Sequence, residues 1–163
     1  MKHKYLRMIV CMTLVITMLV GSCPVASARS STIKLLKVTA DGARLREGGS
    51  SDYDVITTLK KGTKVFYYGK NSNYFCYVCT SDGKTGYVYK GYLSSYGTVR
   101  TDQIYYTTKK ATIYKKASTS SSKVTTIAKN RFVIILKKVG NWGYVQTLDG
   151  KSGFVLLSYF ESV

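Results

Sequence analysis

The stretch SDGKTGYVYKGYL at residues 81–93 returns as LDGKSGFVLLSYF at residues 148–160, with side chains kept or exchanged largely for near relatives. A chain that writes the same ending twice is built from two copies of one unit, and each copy has to bury the same apolar positions. Counted back from that ending, the halves align at an offset of 68 starting from Ala43 and Ala111. Ile56 falls on Val124, Leu59 on Ile127, Val65 on Val133, Asn73 on Asn141 and Tyr74 on Trp142. From Tyr77 and Tyr144 onward the offset is 67, so the first copy holds one extra residue, placed near Phe75 and Cys76. One added residue in mid-strand is the sequence mark of a β-bulge. The chain therefore divides into two units, at residues 35–97 and 104–163, in preference to one larger domain.

Each copy reads as a run of short strands. Val, Ile, Thr and aromatic residues recur in segments of a few residues broken by Gly, Asn, Asp and Ser. In the first copy the strands are expected near 43–46, 55–59, 63–70, 74–80 and 85–89. Asp82-Gly83 and Asp149-Gly150 are tight-hairpin signals, because both residue types tolerate positive φ. Residues 47–54 and 115–122 are polar loops, and Tyr92-Leu93 and Tyr159-Phe160 are expected to close each copy with one helical turn. No helical period is found after residue 29. The expected class is all-β, as two small barrels in tandem. Leu45, Ile56, Leu59, Val65, Val78 and Val88 should form one core, and Ile113, Val124, Ile127, Val133, Val145 and Val155 the other.

The first 28 residues stand apart. Lys2, Lys4 and Arg7 precede an apolar run from Met8 to Val20, and Ala26-Ser27-Ala28 follows. That order describes a secretory signal peptide cleaved after Ala28. Its 13-residue apolar run falls short of the ~20 residues that cross a bilayer. Val20-Gly21-Ser22-Cys23 also has the form of a lipid-attachment site. Membrane contact would follow only from lipid on Cys23 or from an uncleaved signal, and either cut sends the protein outside the cytoplasm.

Residues 29–163 hold 22 basic and 8 acidic side chains, an excess that draws the chain toward polyanions. Nucleic acid is disfavoured by export, leaving anionic wall polymers, lipid head groups and peptidoglycan carboxylates. The one His is His3, and only Cys76 and Cys79 lie beyond the signal, so a zinc site of about four Cys or His ligands is not expected. On one strand those two cysteines face opposite sides and stay unpaired unless a bulge shortens the gap. Without His there is no partner to activate a thiol, and Asp52 and Asp54 in a polar loop lack the fixed geometry of a carboxylate pair. No cofactor and no enzymatic activity are expected.

The order Leu45-Arg46, a polar loop, VITTLKKGTKV, a hairpin, an aromatic, DGKTGYV and a closing Tyr-Leu resembles the bacterial SH3-like domain of exported cell-wall proteins. The resemblance covers most of each copy, and is weaker in the second, where Ile113-Tyr114-Lys115 replaces the Leu-Arg opening. It implies a binding module for peptidoglycan peptides or anionic wall polymers, localised outside the cell or on its wall. An interaction partner or regulator of an envelope enzyme is the alternative. It further implies a groove beside the first polar loop. In the first copy that groove would bring Arg46 and Tyr53 near Tyr74 and Tyr92, and in the second Tyr114, Lys115, Trp142 and Tyr159. The competing reading makes Tyr74 and Trp142 caps of their barrels and Tyr92 and Tyr159 locks on the closing turn.

Overall fold

The computed structural model describes residues 31–163; the expected signal peptide, with Cys11 and Cys23, lies outside the described residues. The first half forms β1 (Thr32–Val38), β2 (Ala43–Arg46), β3 (Val55–Leu59), β4 (Lys64–Asn71), β5 (Phe75–Cys79), β6 (Thr85–Tyr89) and β7 (Leu93–Arg100). The second half repeats them as β8 (Ile104–Thr107), β9 (Ala111–Tyr114), β10 (Lys123–Ile127), β11 (Phe132–Val139), β12 (Trp142–Thr147), β13 (Ser152–Leu156) and β14 (Phe160–Ser162). The class is all-β, and the described residues contain only three short 3-10 turns besides strands. Two of these, Lys90–Tyr92 and Leu157–Tyr159, are the closing turns expected from the sequence.

Both sheets are antiparallel and share one topology, β3-β2-β6-β5-β4-β1-β7 and β10-β9-β13-β12-β11-β8-β14. Neither ladder closes on itself: β3 and β7 end the first, β10 and β14 the second. Each is a bent sheet wrapped over its core rather than a hydrogen-bonded barrel. β2 meets β6 in a short crossing whose register is the single pair Arg46 and Tyr87. Gly86 sits at that crossing, and a Cβ there would overlap the carbonyl oxygen of Arg46. Gly153 stands in the same relation to the Tyr114 carbonyl, which is why both copies write Gly after Asp-Gly-Lys-Thr/Ser.

Alternation along the strands separates two faces. Leu45, Val65, Val78 and Val88 point into the first core, and Ile113, Val133, Val145 and Val155 into the second. Leu59 and Ile127 join them. Ile56 and Val124 do not: they are 37% and 39% exposed. Both are bulge residues. Leu45 pairs with Thr57 and Arg46 with Val55, so Ile56 is skipped, and Val124 is skipped in the same way between Lys123 and Thr125. A bulge residue leaves the alternation that would have turned it inward.

The extra residue of the first copy also lies elsewhere than the sequence alignment puts it. Tyr67 pairs with Val78 and Asn71 with Cys76, so three residues of β4, including Gly69 at φ 73°, oppose Tyr77 alone. In the second copy only Leu136 interrupts the equivalent register. The insertion is therefore in β4, with glycine supplying the left-handed conformation. Consequently the structural partner of Trp142 is Phe75, not Tyr74: Phe75 pairs with Tyr89, and Trp142 with Leu156.

Between the halves lies a third core. Ile33, Leu35, Phe66, Cys79, Val99, Ile104, Phe132, Ile134 and Leu148 are buried together, drawn from both sheets. Phe66 meets Phe132 edge-on, with ring centroids 6.1 Å apart. The Phe132 N–H donates to the Ser81 carbonyl at 2.9 Å, and Arg131 reaches Asp82 at 3.6 Å. The stretch between the repeats is thus strand and turn, with only the 3-10 turn Thr101–Gln103 between β7 and β8. Cys76 faces the first core and Cys79 the shared one, and both are free thiols.

Candidate functional site

Alternation on β2 buries Ala43 and Leu45 and turns Arg44 and Arg46 outward. Phe75 on β5 and Tyr89 on β6 share that outer face, and the 3-10 turn brings Tyr92 alongside. Together with Gly42 and Ser51 these five side chains line a groove of about 500 Å³. Its aromatic wall is continuous. Phe75 and Tyr89 meet at 5.8 Å between centroids, and Tyr89 and Tyr92 at 5.3 Å, both edge-to-face.

The polar loop between β2 and β3 is held in place from several sides. Arg46 Nη1 donates to the Tyr53 carbonyl oxygen at 2.6 Å, and the Glu47 N–H to the Asp54 carbonyl at 3.1 Å. The Tyr53 ring lies on Gly48, and the Ser72 hydroxyl donates to the Gly49 carbonyl at 2.8 Å. The Ser50 hydroxyl donates to the Asp52 carboxylate at 2.7 Å. The Arg46 guanidinium is thus fixed by one N–H to its own loop while it lines the groove. Such a preorganised fork suits a carboxylate or phosphate oxygen pair.

Of the first-copy residues expected at the site, the structure brings Arg46 and Tyr92 together in the groove. Tyr53 stands beside it, contributing its carbonyl to Arg46. Tyr74 stays apart, 67% exposed at the tip of the β4–β5 hairpin. Arg44, Phe75 and Tyr89 belong to the groove and were not anticipated. Placing the insertion in β4 would have found Phe75, since the corrected offset sets it on Trp142. Outward alternation from Leu45 would have found Arg44.

In the second copy Tyr114 and Trp142 meet at 5.9 Å between centroids with planes 83° apart. Tyr159 already carries a cation, the Lys109 ammonium lying 4.1 Å from its ring centroid. Lys115 is exposed, with its backbone N–H on the Ser122 carbonyl at 2.9 Å. By register, Thr112 occupies the place of Arg44, Tyr114 that of Arg46 and Leu156 that of Tyr89. The second copy keeps aromatic side chains at Trp142 and Tyr159, adds Tyr114, and carries neither guanidinium.

The perturbed ionisable groups do not line this groove. Burial pushes the Cys79 thiol up to about 12, so it remains protonated in the shared core. Burial also raises Cys76, the ammonium of Lys90 opposing it. For Asp82 burial acts upward, but the Thr80 hydroxyl, Lys84 and Arg131 outweigh it and hold the carboxyl below its ordinary value. Among the described residues no three His, Cys, Asp or Glu side chains gather to hold a metal ion.

The family profile described as bacterial SH3 domain matches residues 41–94 and, a second time, residues 109–161. A probable endopeptidase p60 from Listeria innocua is 38% identical over 61 residues, 37% of this chain and 13% of that protein. The structure of NlpC2 from Trichomonas vaginalis aligns at 16% identity with a TM-score of 0.35, over 83% of this chain and 50% of the other. That of NlpC1 from the same organism aligns at 17% identity and a TM-score of 0.35, over 88% and 51%. The chain thus spans about half the length of these two structures and a small part of the Listeria protein.

Proposed function

The chain belongs to the bacterial SH3 domain family, and on that premise we propose that it is an exported, non-catalytic protein that binds the cell wall. Its modules, drawn at residues 35–97 and 104–163, follow a signal peptide cleaved after Ala28. The ligand is a peptidoglycan peptide or an anionic wall polymer. The observation that carries this reading is the first module's groove, in which Arg44 and Arg46 face an aromatic wall of Phe75, Tyr89 and Tyr92. Guanidiniums take the anionic group, and the rings cover the apolar part of the ligand. Residues 29–163 contain no His, so the usual base of a thiol hydrolase and the usual ligand of a zinc hydrolase are both missing from them.

One finding favours a second reading. The matched part of the Listeria relative belongs to a protein named as an endopeptidase, so a partner role toward an envelope enzyme fits the same modules. Sedimentation with purified, enzyme-free cell walls separates the two. Direct wall binding by the full chain supports the proposal. A chain that stays in the supernatant at low salt, yet is retained by an envelope enzyme, replaces it with the second reading.

A further inference from the structure

The face of the second sheet that meets the first module does not end at the joint. Ile134 turns into the shared core, and its partner Gln146 lies on the same side of β12 as Tyr144 and Trp142, opposite the buried Val145. Beyond the Leu136 bulge this face continues as two cross-strand rows. Lys137, Tyr144, Phe154 and Tyr114 are paired in turn across β11, β12, β13 and β9. Val139, Trp142 and Leu156 form the next row. Ring contacts join the face, Tyr144 to Phe154 at 5.1 Å between centroids and Tyr114 to Trp142 at 5.9 Å. Toward the hairpin end it opens to solvent, with Leu136 46% and Val139 52% exposed and Lys137 between them. In the first module the corresponding row ends on Arg46 instead of Tyr114, and there the groove lies.

The charge of this face has one sign. None of its four strands contains Asp or Glu. The two acids of residues 104–163 are engaged elsewhere, Asp149 with Lys151 at 3.9 Å and Glu161 with the Tyr106 hydroxyl. The bases there are lysines except Arg131, which sits 3.6 Å from Asp82 at the joint. A positive, ring-bearing face repels a second copy of itself and attracts a negative, partly apolar surface. Protein interfaces favour Arg and are depleted of Lys, whereas Lys beside half-buried Tyr and Trp is the composition that settles at a lipid interface. We propose that this face docks on the surface of a bilayer rich in anionic lipid, a contact that needs neither lipid on Cys23 nor an uncleaved signal. Leu136, Val139 and the ring edges enter the boundary between head groups and acyl chains. Lys137 meets the lipid phosphates, and the exposed Lys115 and Lys116 after Tyr114 add to the attraction. The docking rests on the proposed export only for which membrane the chain meets.

Trp142 is the one tryptophan of the chain and stands on this face, so its emission moves to shorter wavelength when the face leaves water. The experiment adds the mature chain, residues 29–163, to vesicles of phosphatidylglycerol and phosphatidylcholine in equal parts, and to vesicles of phosphatidylcholine alone. The anionic vesicles should sediment the chain and shift the emission, and the neutral ones should do neither. Lys137→Gln should weaken the anionic binding about fivefold, the loss of one ammonium near a charged surface. Val139→Asp should abolish the shift with the melting temperature held. Tyr74→Asp changes net charge equally on an exposed hairpin of the other module and should leave the shift in place. No shift with anionic vesicles at low salt, with wall binding intact, overturns the membrane surface and leaves the wall-binding reading standing. Sedimentation without an emission shift, or equal losses in Val139→Asp and Tyr74→Asp, also overturns it, since either result is diffuse charge. Vesicles that stay inert while soluble polyglutamate shifts the emission overturn it in favour of an acidic protein.

Discussion

At two adjacent outward positions of the same strand, the first module sets Arg44 and Arg46 and the second sets Thr112 and Tyr114. The scaffold around them is equal: the same strand order, the same glycine at the crossing, the same closing turn. Net charge runs the other way, with ten basic and two acidic residues in 104–163 against nine and five in 35–97. A module can therefore be more cationic overall and less equipped to hold one anion. Charge spread over a surface gives long-range, salt-sensitive attraction. Two guanidiniums beside an aromatic wall give a contact at one place.

The comparison breaks first if the modules are not one folding unit. Phe132 is contributed by the second module but packs on Phe66 of the first. Phe132→Ala should cost about 3–5 kcal/mol and lower the melting of both modules together in calorimetry. A loss confined to one of two resolved transitions would show that the shared core does not couple them.

The equality of the scaffolds is tested next by Gly86→Ala and Gly153→Ala. Each added Cβ meets a backbone carbonyl across the strand crossing, and each should cost roughly 1–3 kcal/mol in denaturant unfolding. A large cost in one module and none in the other would mean the crossing is not shared.

Salt sharpens the charge contrast. The part of wall binding that belongs to the lysines of the second module should fall as salt rises, because exposed charges are screened beyond ~10 Å at 0.1 M. Wall binding that is independent of salt in an Arg46→Ala variant would remove both charge and the first groove as its cause.

The smallest effect is a pH effect at the joint. Asp82, paired with Lys84 and Arg131, is held below the ordinary carboxylate value. Its contribution is complete above that ordinary value and is lost as pH falls through the lower, folded one. Being partly exposed, it is worth up to about 1 kcal/mol. Asp82→Asn should remove that acid-limb loss of stability; an unchanged acid limb would assign it to other carboxylates.

The strands inside each repeat were legible because bulges and hairpins leave most of the alternation intact, and Asp-Gly marks the turns. The strands β1, β7 and β8 were not, since they lie largely outside the repeated stretch and Ile33, Leu35, Val99 and Ile104 face the shared core; β14 starts only at Phe160, the last residue of the repeat, which faces the second core. Ile56 and Val124 looked buried because both are apolar at one shared position of the repeat, and only the ladder register shows the bulge there. The groove was half legible: Arg46 and Tyr92 were found, while Phe75 was hidden behind Tyr74 by an insertion placed on the wrong strand. No local pattern marks an insertion in β4 as distinct from one in β5, because only the ladder register separates them.

The most direct test of the groove is Arg46→Ala in the full chain, with wall binding and melting temperature measured on the same preparation. The groove account predicts that wall binding falls by about tenfold or more, the loss of a charge-assisted fork, while the melting temperature holds. Unchanged binding, or binding that falls only in step with the melting temperature, would contradict it.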